Sequence, residues 1–462
     1  MSIKKKILLA LGAAVLTATL TASVVTATAT TDSTGLNLEI AGSTTLGPVI
    51  AVAAPLFNAQ SSTVQVNVAD IAQVSSGVGI GDLNATPQTA DIAMSSRPLK
   101  TSAPETNDTA TQACIDAVIL MVNSAHTPSD ITQLTKQQIR GIYEDVYALS
   151  SNSGDPSSGA GSTNEYWDAA AVTISSTGII GDDGLAYDVN EYFPALPGYG
   201  NSADHVQIAV LARNLDSGTR GFLGDTIAHG GCAFATGASS TDPVYSTNPN
   251  ASLYPLEEKF LGTTDTNRVG DATTMSNDIN NATNAALGYA GVGYDTGANI
   301  RDLKVEDDLN LTSGSWSTAP YNPVPVDPNY YPPTNINIYS YHYHLTRYLY
   351  LVTLNGDPNH SNDMAFINWF TPEDSVGQDT AVVKHELRLI PDQDINNLGI
   401  VSSGDLTQLG EDYGRTDVDG SGHPLMGTAH LRSDIDRVGI VSSQDLTDLG
   451  NWYGVVIVHP PA

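Results

Sequence analysis

Three clusters of small and hydroxyl-bearing residues are the segments best suited to chemistry: Ala41-Gly-Ser-Thr-Thr-Leu-Gly47, Val74-Ser-Ser-Gly-Val-Gly-Ile80 and Arg213-Asn-Leu-Asp-Ser-Gly-Thr-Arg220. Each stands where an apolar run ends and a helix-like stretch begins. A helix start leaves backbone N–H groups without intrahelical acceptors and carries partial positive charge, and Ser, Thr and Gly let an anion approach those groups closely. Three such starts brought together would bind a small oxyanion without lysines. Taken singly, each cluster has a structural alternative, because Ser and Thr cap helices everywhere.

An α/β chain is expected to position these clusters, since short β-type runs alternate with helix-like stretches from Leu36 to about Pro391. Val64–Val68, Ala117–Val122 and Val206–Leu211 read as strands. The last two are nearly continuous apolar runs, which predicts coverage on both faces and a mostly parallel sheet. The Ser/Gly-rich residues 150–164 and the Pro/Tyr/Asn-rich residues 314–338 read as surface loops or insertions.

At 462 residues, with 19 Lys and Arg against 50 Asp and Glu and a net charge of −31, the chain is too long for one core and too acidic for nucleic acid. An anionic ligand stays compatible with that charge, because local donors in a dry cleft outweigh a screened distant field. Lys4, Lys5 and Lys6, the apolar run Ile7–Leu16 and the small residues ending at Ala29 predict a signal peptide over 1–29, hence an exported protein, extracellular or cell-surface associated. Asn-x-Ser/Thr sequons at Asn84, Asn107, Asn250, Asn281, Asn310 and Asn359 are consistent with that address. Cys114 and Cys232 leave a disulfide and two separate thiols equally open.

The ordered motifs resemble the phosphate-binding proteins of ABC importers. Gly42-Ser-Thr-Thr45, Ser75-Ser-Gly77, Asp91-Ile-Ala-Met-Ser-Ser-Arg97 and Arg213–Arg220 are similar to that family's anion loops. Leu134–Tyr143, Leu287–Tyr294, Leu345–Tyr350 and Phe366–Glu373 follow as landmarks in the same order. The resemblance implies a two-lobed periplasmic-binding-protein-like fold of type II with a hinge, over residues 36–391. Lobe I would comprise about 36–120 and 295–391, and lobe II about 121–294. It further implies a phosphate or related oxyanion held by Thr44, Thr45, Ser75, Ser76, Ser96, Arg213, Ser217, Gly218 and Thr219, and an ABC permease as partner. Arg97 and Arg220 are second candidates, each able to pair instead with Asp91 or Asp216. Two departures stand out: Ser96 occupies a place where some members carry Asp, and Asp216 precedes the Ser-Gly-Thr core in place of Gly.

Beyond Pro391 the chain repeats itself with a 40-residue period: Asp394–Gly410 returns as Asp434–Gly450. Each copy reads as a loop followed by a short helix starting near Ser402 or Ser442, and one copy alone could not bury its apolar face. The copies resemble dockerin modules, which implies a small α-helical, EF-hand-like unit over 392–456 and a cohesin-like surface partner. An EF-hand-type loop takes calcium through positions 1, 3, 5, 7 and 12 with Gly at 6. Asp394, Asn396 and Asp405 match in the first copy and Asp434, Asp436 and Asp445 in the second, with Ile400 and Ile440 offering the position-7 carbonyls. Leu398 and Val438 occupy position 5 and delete a ligand from each loop. Calcium-bound loops and metal-free loops held by Ile400, Val401, Leu406 and Leu409 are both open, as is packing of the module on its own lobe.

No Gly-x-Ser-x-Gly elbow and no His-Glu-x-x-His occurs, so a binding protein rather than an enzyme is expected, with no required cofactor. His342 and His344 would share a face if Tyr341–His344 were a strand, but a third metal ligand is missing. The other functional class is a structural or adhesive surface protein built on the same fold, favoured by the insertions and by the lack of a cysteine for lipid anchoring.

Overall fold

The computed structural model describes residues 36–61, 63–100, 104–143, 147, 165–180, 186–214, 216–227, 268–306, 330–371, 393–395, 398–416, 433–435 and 440–457. The expected leader at 1–29, Cys232, residues 150–164 and 314–329, Asn396 and Asp436 lie outside these.

Among the described residues, one nine-stranded sheet organises the larger domain. Its strands are β1 (Ile40–Gly42), β2 (Ala72–Gln73), β3 (Ile92–Ser95), β4 (Asp108–Asn123), β5 (Glu165–Tyr166), β6 (Gln207–Val210), β7 (Ala286–Gly291), β8 (Ile300–Asp302) and β9 (Thr346–Leu354). They lie in the order β2-β1-β3-β9-β4-β7-β6-β5, with β8 also paired to β4. The sheet is mixed. β1 is parallel to β2 and β3, and β6 to β7, whereas β4 is antiparallel to β7, β8 and β9. The expected mostly parallel sheet is therefore corrected. Continuous apolar runs require two covered faces, which an antiparallel strand also has when helices lie on both sides.

Alternation along β4 shows that coverage. Val118, Leu120 and Val122 pack with Ile139 and Ile142 of the helix Lys136–Tyr143, while Ile119 and Met121 pack with Met275 and Ile279 of the helix Ala272–Asn281. Nearer its start, Ala113 and Cys114 join Leu349 and Leu351 of β9 against Phe366, Ile367 and Phe370 of the helix His360–Phe370. Ile115 faces the other way, with Ile80 and Leu83. Along Val118–Val122 period-two alternation with both sides apolar fixes the register, because a one-residue slip would exchange the two faces; Ala113 and Cys114 share a side at the irregularity opposite Leu349 and Tyr350.

β4 is also where the molecule divides. Asp108–Ala117 pairs with β9, and Val118–Val122 pairs with β7. One group of strands (β1, β2, β3, β9) thus stands on the first part of β4 and another (β5, β6, β7, β8) on the second. The chain returns to the first group only at Thr346, so Ile300–Asp302 lies with the second group, later than the expected boundary at 295. Residues 341–345 form a turn in which Tyr341 has φ 56°, so His342 and His344 are not strand neighbours. His342 stacks on Tyr331 and His344 on Tyr341.

In the repeats, the helices Ser403–Asp412 and Ser443–Trp452 each begin with a capping box, Ser402 with Asp405 and Ser442 with Asp445. That satisfies two otherwise orphaned amides at each start. The copies share a core of Ile395, Val401, Leu409, Ile435, Val441 and Leu449 and are bridged at Ile400–Val456 and Thr416–Ile440. Trp452 meets Tyr339 edge-on at 5.5 Å, and Ile457 joins the main core, so the repeat unit rests on the larger domain.

Candidate functional site

All three sequence clusters sit at strand-to-helix passages. β1 leads into the helix Gly47–Gln60, β2 into Ser76–Leu83, and the short strand Ala212–Arg213 into Gly218–Ile227. Local hydrogen bonding explains the residue types. Ser43 Oγ accepts from the amides of Thr45 (3.2 Å) and Leu46 (3.3 Å), Ser75 Oγ from Val78 (3.2 Å), and Ser217 Oγ from Arg220 (3.3 Å). Ser75 is the N-cap of its helix and Ser217 immediately precedes its own, while Ser43 serves the turn that leads into Gly47–Gln60; an accepting hydroxyl still has its proton to donate. Gly42, at φ 136°, lies so close to Met94 that a Cβ would strike the backbone there, which lets β1 and β3 run together into the site.

The clusters meet. Ser43 Oγ and Ser96 Oγ share a hydrogen bond, and Ser76 Oγ accepts from the Ser96 amide at 2.9 Å. From the second strand group, the Asp216 carbonyl accepts from the Gly77 amide at 3.0 Å. Gly218 abuts Ser76 so closely that a Cβ there would fall on Ser76 Oγ and 3.2 Å from Ser96 Cβ. Thr45, Ser75, Ser76, Ser96, Arg213, Ser217 and Thr219 are all buried, and Thr44 is half-buried.

Arg213 supplies the charge. Its Nη2 donates to the Gly270 carbonyl (3.1 Å) and reaches Thr44 Oγ1 (3.4 Å) across the strand groups. Its Nε and Nη1, and Thr45 Oγ1, are buried without a hydrogen-bond partner among the described residues. Burial lowers the guanidinium's pKa from its ordinary value, with Tyr289 and Asp271 working against that shift. A buried cation with two open donors is costly unless a ligand completes it.

The second-rank arginine Arg97 is spoken for. It pairs with Glu105 through Nη1 (2.9 Å) and Nη2 (2.6 Å), not with Asp91, whose Oδ2 accepts from the Glu39 amide. Arg220 lies near Tyr289, the hydroxyl of which accepts from the Arg213 amide at 3.2 Å. Ser43, Tyr289, Tyr294, Asp116 and Arg347 join the site without having been singled out from sequence. Tyr294 Oη donates to the Thr44 carbonyl at 2.9 Å, across the strand groups. Asp116 had a visible signal, a lone carboxylate inside the run Cys114–Val122.

The family model of the PBP superfamily domain matches residues 25–374. The chain belongs to this superfamily. The superfamily domain thus spans the whole sheet and every cluster above. Among solved structures it is similar to an ABC-type phosphate transport receptor from Vibrio cholerae (19% identity, 72% of this chain, 93% of that chain, TM-score 0.39). It is similar also to PstS from Borrelia burgdorferi (18% identity, 73% and 94%, TM-score 0.35) and to a phosphate binding protein from Stenotrophomonas maltophilia (15% identity, 72% and 84%, TM-score 0.35). Likenesses of this degree assign no ligand. No curated protein matches the chain.

At the repeats, the Asp394 carboxylate accepts from the amides of Leu398 (3.1 Å) and Gly399 (2.8 Å), and Asp405 Oδ2 from the Ser402 amide (2.8 Å). Asp445 Oδ2 accepts likewise from the Ser442 amide at 2.7 Å. Leu398 is 74% exposed, and Ile400 and Ile440 are exposed as well. Among the described residues no group of three or more His, Cys, Asp or Glu side chains is arranged to hold a metal ion.

Proposed function

We propose that this chain is an exported binding protein that captures inorganic phosphate, or a related oxyanion, where its two strand groups meet, and hands it to an ABC permease. The observation that carries the reading is Arg213, buried with Nε and Nη1 open, beside the starts of three helices. A tetrahedral oxyanion would take those two donors, the Thr45 hydroxyl, the proposed contacts of Thr44, Ser75, Ser76, Ser96 and Ser217, and the first-turn amides of Gly218 and Thr219. Charge-assisted bonds of this kind are the strong ones, and a guanidinium fork fits an oxyanion edge. Calorimetric titration of the full chain with phosphate, sulfate, tungstate and molybdate tests it. Phosphate should bind, and absence of binding by all four anions would overturn the proposal.

For the repeats we propose attachment at the cell surface through a cohesin-like partner. Support comes from the exposed, symmetry-related pairs Leu406 with Leu446 and Tyr413 with Tyr453. Replacing both tyrosines by serine should release the protein from cells, and equal retention would refute this role.

A further inference from the structure

We propose that Asp116 and Arg347 form a positioning pair that holds the two strand groups together under the ligand site; this rests on the oxyanion reading only for its effect on affinity. The two residues face each other across β4 and β9, one position before β4 changes partner at Ala117 and Val118. Both side chains are about 1% exposed. Arg347 donates to Asp116 Oδ2 from Nε (2.9 Å) and Nη2 (2.6 Å).

The remaining valences reach in opposite directions. Arg347 Nη1 donates to the Ser96 carbonyl at 3.1 Å, in the loop that also carries the bonds to Ser43 and Ser76. Asp116 Oδ1 accepts from the Val292 amide at 3.0 Å, just past β7 and two residues before Tyr294, which bonds Thr44. The guanidinium also lies 5.6 Å from the centre of the Phe222 ring, on the helix that begins at Gly218. Gly291 has no side chain because a Cβ there would come 3.1 Å from Asp116 Oδ2 and 2.8 Å from Thr45 Cγ2. One ion pair thus touches the Ser96 loop, the Val292 segment and the Gly218 helix, and no other pair among the described residues is shown doing so. A pair serving only strand stability could be replaced by apolar residues at little cost, because desolvation offsets most of its attraction. The hydrogen bonds to Ser96 and Val292 give it a different task, which is to fix where the loops stand.

The test uses Arg347→Met, Arg347→Lys and Asp116→Asn in the full chain, read by amide hydrogen exchange and by phosphate titration. The diagnostic amide is Gly77, which bridges to Asp216 and touches neither member of the pair. Arg347→Met should speed Gly77 exchange at least tenfold while the Ile115 and Leu349 amides keep their protection. Phosphate affinity should fall at least tenfold, mainly through faster release. Arg347→Lys keeps the charge but cannot serve Asp116 and Ser96 together, so it should show the same changes and provides the readout if the methionine variant does not fold. Unchanged Gly77 protection in the variants would overturn the proposal. If the wild type binds no oxyanion, the ligand reading falls while the exchange comparison still decides the role of the pair.

Discussion

Replacing Arg213 by methionine should weaken phosphate binding strongly and leave the ligand-free fold as stable as before or more so. Two of its donors, Nε and Nη1, are open, and hydrogen bonds to charged groups contribute about 1.5 to 3 kcal/mol each. Losing both removes about 3 to 6 kcal/mol, or roughly a hundred- to ten-thousand-fold in Kd. The ligand-free balance runs the other way. Nη2 holds the Gly270 carbonyl, but Gly270 is exposed and water can replace that donor, while the buried charge itself disappears. Replacing under-paired buried charge with an apolar side chain of similar length is neutral or stabilising by about 1 to 4 kcal/mol. Calorimetry gives the affinity, and thermal melting with and without phosphate gives the balance. Arg213→Lys should fall between the two, keeping a charge but not the planar fork. A variant that melts several degrees lower without ligand yet binds phosphate normally would refute the assignment and make Arg213 a structural residue.

Three further outcomes are expected. Gly218→Ala should lower phosphate affinity at least tenfold and lower the ligand-free melting temperature, because its Cβ would fall on Ser76 Oγ, which is fixed by the Ser96 amide; unchanged affinity would show that the strand groups need not meet there. Asp363 is fully buried with neither carboxyl oxygen hydrogen-bonded among the described residues, and burial, with Asp357 and Asp91 nearby, pushes its pKa up to about 8. Its contribution to folding is complete below the usual carboxylate range and is lost as pH rises toward about 8, so melting temperature should fall from pH 5 to pH 9 and fall less in Asp363→Asn; equal slopes would refute this. Melting curves of the full chain with calcium and with chelator should coincide, because Asp394, Asp405 and Asp445 already serve backbone amides and position 5 is apolar; a calcium-dependent rise would show that the loops do take the metal.

The three strand-to-helix passages are legible because their chemistry is local. A Ser or Thr that caps a helix, next to a Gly that permits close approach, is written in a few consecutive residues, and the three passages lie where those residues put them. The parts that failed depend on partners far along the chain. Ala117–Val122 announces two covered faces but not strand direction, since burial does not distinguish a parallel neighbour from an antiparallel one. Arg97 reads from sequence as a second candidate able to pair with Asp91 or Asp216, and only the fold shows that its partner is Glu105. Arg347 stood in a quoted motif, yet its meaning required Asp116, more than two hundred residues away.

The duplicated C-terminal unit has lost its symmetry at one corresponding pair. Asp412 in the first copy bonds Ser433, at the entrance to the second, whereas Trp452 in the second copy meets Tyr339 of the larger domain edge-on. Among the described residues, one contact thus runs from the first copy to the entrance of the second and another from the second to the larger domain. Tension applied at the first would pass through Asp412 to the second copy, through Trp452 to Tyr339, and so arrive a few residues ahead of β9, the neighbour of the strand β4 on which both strand groups stand. A cell-surface tether on this chain would load the segment that leads into β9, one strand away from the place where β4 changes partner.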